Sequence, residues 1–101
     1  MESTILLGKI LQRFDDKKVA KVDRYSTFGY LRETNTAVYV SREKGKNSRI
    51  SFTDIIKGIE AYKYNPALYN EAPVVLRNFG ITRVTSPVWT LLHLLSIQDY
   101  Q

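Results

Sequence analysis

STFGYLRETNTAVYVSREKGKNSRISF, residues 26–52, decides the fold. Three runs of β character, 26–32, 36–42 and 49–52, are divided by ETN (33–35) and EKGKN (43–47), both polar and short. KVAKV (18–22) adds a fourth run just upstream. Strands joined by so few residues pair antiparallel, because parallel neighbours need a crossover of a dozen residues or more. The stretch therefore predicts a four-stranded meander.

Helical spacing takes over on both sides. Residues 3–13 place Leu7, Ile10, Leu11 and Phe14 on one stripe, broadened by Ile5 and Leu6, with Ser3 or Thr4 as cap and Asp15-Asp16 as the following turn. From Thr53, read as an N-cap, Ile55, Ile56, Ile59 and Tyr62 recur at helical spacing, and Asp54 suits the positive end of the helix dipole. Gly58 costs such a helix about 1 kcal/mol relative to alanine, which predicts a close neighbour at that point. The helix ends at YNP (64–66), since the residue before proline avoids the α region. Short helical turns near 67–70 and 73–79, a glycine stop at Gly80 and a strand over 81–84 follow.

TSPVWTLLHLLS (85–96) predicts a helix with Ser86 as cap and Pro87 in its first position. Val88, Leu91, Leu92 and Leu95 form one stripe, and Trp89 and Leu94 widen it almost all round, so burial in the core or in an interface is required. The fold class read from the chain is α+β: a small, mostly antiparallel sheet packed by helices, with a buried C-terminal helix, in one domain spanning residues 1–101.

Composition narrows the functions. There is no cysteine, so disulfides, thiolate nucleophiles and zinc–thiolate sites are excluded, and a reducing compartment is suited. No apolar run reaches the 18 residues of a membrane span, and the start of the chain is neither basic nor continuously apolar, so no membrane association is expected and the cytoplasm is the expected location. His93 is the only histidine. It sits seven residues from Ser86 on one predicted helix, about two turns away and beyond hydrogen-bond reach. Gly45-Lys46 lacks the second glycine and the strand-to-helix setting of a phosphate-binding P-loop. No enzymatic activity, metal or other cofactor is expected.

Charge points to binding. Residues 1–50 hold eleven Lys or Arg against six Asp or Glu, and residues 51–101 hold four of each, so the whole net charge of +5 lies in the first half. Such asymmetry suits a polyanionic partner. The candidate surface for DNA or RNA combines Arg24, Arg32, Arg42, Lys44, Lys46 and Arg49 for phosphates with Tyr25, Phe28 and Tyr30 for stacking bases. The same alternation also describes aromatics packed under a helix, and the basic hairpin is equally a solvated turn. The rival reading is a protein-binding or inhibitory module docking on an acidic partner. Tyr62, Tyr64 and Tyr69 are its anchors, and Trp89 and Leu94 are the choice for a homodimer contact through the surplus apolar surface of the last helix.

Overall fold

Four strands, β1 (Val19–Ala20), β2 (Phe28–Glu33), β3 (Ala37–Arg42) and β4 (Ser48–Ser51), form an antiparallel meander in that order in the computed structural model, which describes residues 1–101. Four helices accompany them: α1 (Ser3–Lys17), α2 (Phe52–Tyr64), α3 (Thr85–Leu92) and α4 (Ile97–Tyr100). Two 3₁₀ segments, Pro66–Asn70 and Pro73–Phe79, lie between α2 and α3. This is the α+β architecture read from the sequence. No helix is long and apolar enough to cross a membrane.

One face of the sheet is core. Phe28, Val38, Val40 and Ile50 are buried against Leu6, Ile10 and Phe14 of α1 and Ile55, Ile59 and Tyr62 of α2, all members of one cluster. Each such side chain contributes about 1.5–3 kcal/mol by leaving water. Helix α3 is the most enclosed element, with every residue from Pro87 to Leu92 buried, packed by α2 and by Pro73–Phe79. Gly58 lets α2 come this close, as its cost in the helix predicts: a Cβ there would meet Leu92 Cδ1 at 2.7 Å.

A bulge in β2 sets which side chains face away from the core. Tyr30 pairs with Val40, but Arg32 pairs with Tyr39, so Leu31 is the extra residue. Without it, Phe28, Tyr30 and Arg32 would share one face by the two-residue period of a strand. The bulge turns Arg32 to the side of Tyr39.

Several boundaries differ from the sequence reading. Helix α1 runs through Asp15 and Asp16 and closes at Lys18, whose left-handed backbone (φ 64°) lets its N–H reach the Phe14 carbonyl. Its cap is Glu2, and Ser3 instead joins Glu60 and Lys63 of α2. The buried stripe of α1 uses Leu6 in place of Leu7, while Ile5 is exposed. The cap of α2 is Ser51, whose Oγ accepts the Asp54 N–H at 3.1 Å, so Thr53 already lies inside the helix.

Residues 81–84 form no strand; Ile81 enters the core and its carbonyl accepts the Thr85 hydroxyl at 2.8 Å. The helix expected over 85–96 stops at Leu92, and α4 follows with Asp99 accepting the Ser96 N–H at 2.9 Å. Val84 takes the cap position expected for Ser86, which leaves Pro87 third in α3, still within the turn whose N–H groups have no intrahelical acceptor.

Candidate nucleic-acid interface

Tyr39 stands at the middle of the open sheet face, between Arg32 on β2 and Arg49 on β4, its direct cross-strand partners. The Arg32 guanidinium lies 4.0 Å from the Tyr39 ring centroid, a cation–π contact that holds the arginine in place. Arg49 donates through Nη2 to the Thr36 hydroxyl at 3.3 Å and is otherwise exposed. Two cations thus flank one aromatic ring in a row across three strands.

The β3–β4 hairpin carries Lys44 and Lys46 around Gly45, whose φ of 89° makes the turn. Both lysines are exposed. Glu43 at its base accepts the Thr27 N–H at 2.8 Å, which ties the hairpin to the β1–β2 loop. That hydrogen bond is the main reason the Glu43 carboxyl titrates below the usual glutamate range, with Lys21 and Lys44 adding smaller effects. The ion pairs of the molecule join Lys18 to Asp15, Lys57 to Asp54 and Lys63 to Glu60. None involves Arg24, Arg32, Arg42, Lys44, Lys46 or Arg49, so these charges have no carboxylate to leave before meeting a phosphate.

The aromatic half of the expected site is corrected. Phe28 is 1 % exposed, in the core, with the Arg42 guanidinium 5.6 Å from its ring centroid. Tyr30 lies on the same side, its ring edge-on to Phe14 at 5.3 Å and beneath the Lys18 ammonium at 4.6 Å. Phe28 offers no face to a base, and Tyr30, half-buried, is engaged by Phe14 and Lys18 of the α1 side. Arg42 shares their side as the partner of Phe28 and donates to Ser48 Oγ at 3.2 Å. Arg32 and Arg49 lie together with Tyr39 between them, and the hairpin lysines lie beyond the ends of β3 and β4. Tyr39 was legible: in AVYVS its position alternates with Val38 and Val40, which places it opposite the apolar face.

Arg24 and Tyr25 lie elsewhere, on an open cleft of about 910 Å³ between the β1–β2 loop and residues 69–72. The Tyr25 ring rests against Trp89 at 4.7 Å. His93, half-buried at the same place, has Nδ1 at 2.8 Å from the Trp89 carbonyl and Nε2 at 2.8 Å from the Tyr69 carbonyl. A neutral imidazole donates to only one of these, and an imidazolium donates to both. No group of three His, Asp or Glu side chains comes together as a metal site would need.

Of the expected protein anchors, Tyr62 is wholly buried among Tyr69, His93 and Tyr100 and cannot meet a partner. Tyr69 is half-buried, its hydroxyl donating to the Leu95 carbonyl at 2.6 Å. Tyr64 is 86 % exposed. Trp89 is 5 % exposed and buried by the chain itself, whereas Leu94 is half-buried, packed on the core with part of its surface open. No protein-family model, curated protein or solved structure matches this chain.

Proposed function

We propose that the protein is a non-catalytic module that binds the backbone of a nucleic acid across the open face of its sheet. One observation carries the reading: Arg32 and Arg49 flank Tyr39 on an uncovered face, and neither is paired with a carboxylate. Lys44 and Lys46, exposed in the β3–β4 hairpin, extend the charge beyond the end of the sheet. Phosphate contacts of this kind supply affinity without reading sequence, and the tyrosine adds a ring on which a base can stack.

The test is binding of labelled single-stranded and duplex oligonucleotides over a salt series. Affinity is expected to fall steeply with salt, and Arg32→Ala or Arg49→Ala each to flatten the logarithmic salt slope by about 1. Absence of binding to either form at low salt sinks the reading. An acidic protein would then be the partner to seek for the same cations, with Tyr64 as the anchor that remains exposed.

A further inference from the structure

The cleft beside the β1–β2 loop has a floor and a rim of different chemistry. Its floor is a succession of rings, Tyr25 to Trp89 to His93 to Tyr69, with centroids 4.7, 4.3 and 4.1 Å apart. The polar atoms of that floor are largely spent inside the protein. Trp89 Nε1 donates to the Glu71 carbonyl at 3.0 Å, Tyr69 Oη donates to the Leu95 carbonyl, and both His93 nitrogens face carbonyls. The aromatic surface left to a ligand is that of Tyr25, His93 and Tyr69, which are half-buried, while Trp89, 5 % exposed, backs them from inside the protein.

The rim carries Lys21 and Arg24 together with Asp23 and Glu71. None of the four is in an ion pair, and their formal charges cancel. Lys21 donates one of its three N–H groups to the Tyr25 carbonyl at 2.7 Å and keeps its charge. The Arg24 side chain makes no hydrogen bond or ion pair within the protein and is the less committed cation of the rim. A simple anion gains little from a rim of zero net charge. A planar ring with N–H donors for the carboxylates and an anionic group for the cations uses every part of the cleft. The volume of about 910 Å³ accommodates such a ligand.

The geometry points to a binding site for a nucleobase that carries a phosphate, stacked on the ring floor with its phosphate toward Arg24. The ligand is either a free nucleoside monophosphate or the terminal nucleotide of a strand. The first needs nothing of the sheet-face reading, and the second rests on it.

Trp89 is the only tryptophan, so its fluorescence and its indole N–H resonance report on the cleft alone. Adenosine and uridine monophosphates are titrated against both signals, beside inorganic phosphate and the two nucleosides. At least one monophosphate is expected to give a saturable change. The matching nucleoside should bind about tenfold more weakly, and phosphate should leave Trp89 undisturbed. Arg24→Ala should weaken the monophosphate by about tenfold while the melting temperature holds. Arg32→Ala with Arg49→Ala should leave it unchanged. A 5′-phosphorylated oligonucleotide that perturbs Trp89 at lower concentration than the monophosphate identifies a strand end as the source; the reverse order identifies the free nucleotide. The site is overturned if no monophosphate disturbs Trp89 at millimolar concentration, if phosphate alone does so equally, or if Arg24→Ala changes nothing. Oligonucleotide binding through Arg32 and Arg49 would survive any of these outcomes.

Discussion

Gly58 and Leu92 meet where a methyl group has no room: a Cβ at Gly58 would stand 2.7 Å from Leu92 Cδ1 and 3.3 Å from Val88 Cγ1. Leu92 is fully buried, so the core around it must move to admit one. Overpacking of this kind costs about 1–3 kcal/mol, and the better helix propensity of alanine returns about 1 kcal/mol. Gly58→Ala is therefore expected to destabilise by about 1 kcal/mol in a thermal or denaturant melt. Gly8 is the control. It lies within α1, exposed, with nothing within 4 Å of a Cβ, and Gly8→Ala should stabilise by about 0.5–1 kcal/mol. Equal gains at both positions would show that Leu92 gives way.

Tyr62 Oη and Thr90 Oγ1 are buried without a hydrogen-bond partner. An unpaired buried hydroxyl costs about 1–3 kcal/mol, which a shape-preserving apolar residue avoids. Tyr62→Phe and Thr90→Val are thus expected to be neutral or stabilising by about 1 kcal/mol. Tyr100→Phe should behave oppositely and cost about 1 kcal/mol, because its hydroxyl donates to the Leu92 carbonyl at 2.5 Å. Burial also holds the Tyr62 and Tyr100 phenols protonated well above the usual tyrosine range. Neither should add to tyrosinate absorbance until the protein unfolds in alkali. A loss of stability in Tyr62→Phe equal to that of Tyr100→Phe would contradict the assignment.

The sheet was legible because turn spacing and strand composition act locally: ETN and EKGKN left no room for any other connection. The site was half legible. Charge counting put forward Arg32, Arg49 and the hairpin lysines, all of them exposed, but strand alternation alone put Phe28 and Tyr30 forward as stacking rings. Their side of the sheet is set by α1, through contacts such as Phe14 against Tyr30, which no local pattern contains. The bulge at Leu31 likewise depends on pairing between β2 and β3. The cleft joins residues 21–25 to residues 69–72, 89 and 93, so only tertiary packing assembles it. Helix α3 left core and interface open: its all-round apolar surface fits either, and only the packing of α2 and Pro73–Phe79 against it shows that the chain itself covers the helix.

Glu43 gives a pH dependence with a defined sign. Its folded carboxyl titrates below the ordinary glutamate value of about 4.3, chiefly because it accepts the Thr27 N–H. The charged form is the one favoured by folding, so the loop-to-hairpin link is complete above that ordinary value and is lost as pH falls through the lower folded one. The Thr27 amide resonance should hold its position from neutral pH downward and move only below the ordinary glutamate range. In Glu43→Gln that acid transition should vanish. A midpoint at or above the ordinary value would mean the link is not made in solution.

Phe28 and Tyr39 should separate stability from binding. Phe28 is buried, and Phe28→Ala should cost about 3–5 kcal/mol of stability, enough to unfold a marginal domain. Tyr39→Ala gives up the Arg32 contact, worth about 0.5–1 kcal/mol, and should stay folded. Its effect belongs to the ligand: if a base stacks on this ring, single-stranded oligonucleotides should bind about 1–3 kcal/mol more weakly. Tyr39→Phe keeps the ring and should keep most of the affinity. Should Tyr39→Ala bind as well as the unaltered protein while Arg32→Ala and Arg49→Ala do not, the face holds phosphates only. A Tyr39→Ala variant that unfolds like Phe28→Ala would instead make the ring a structural cover of the sheet.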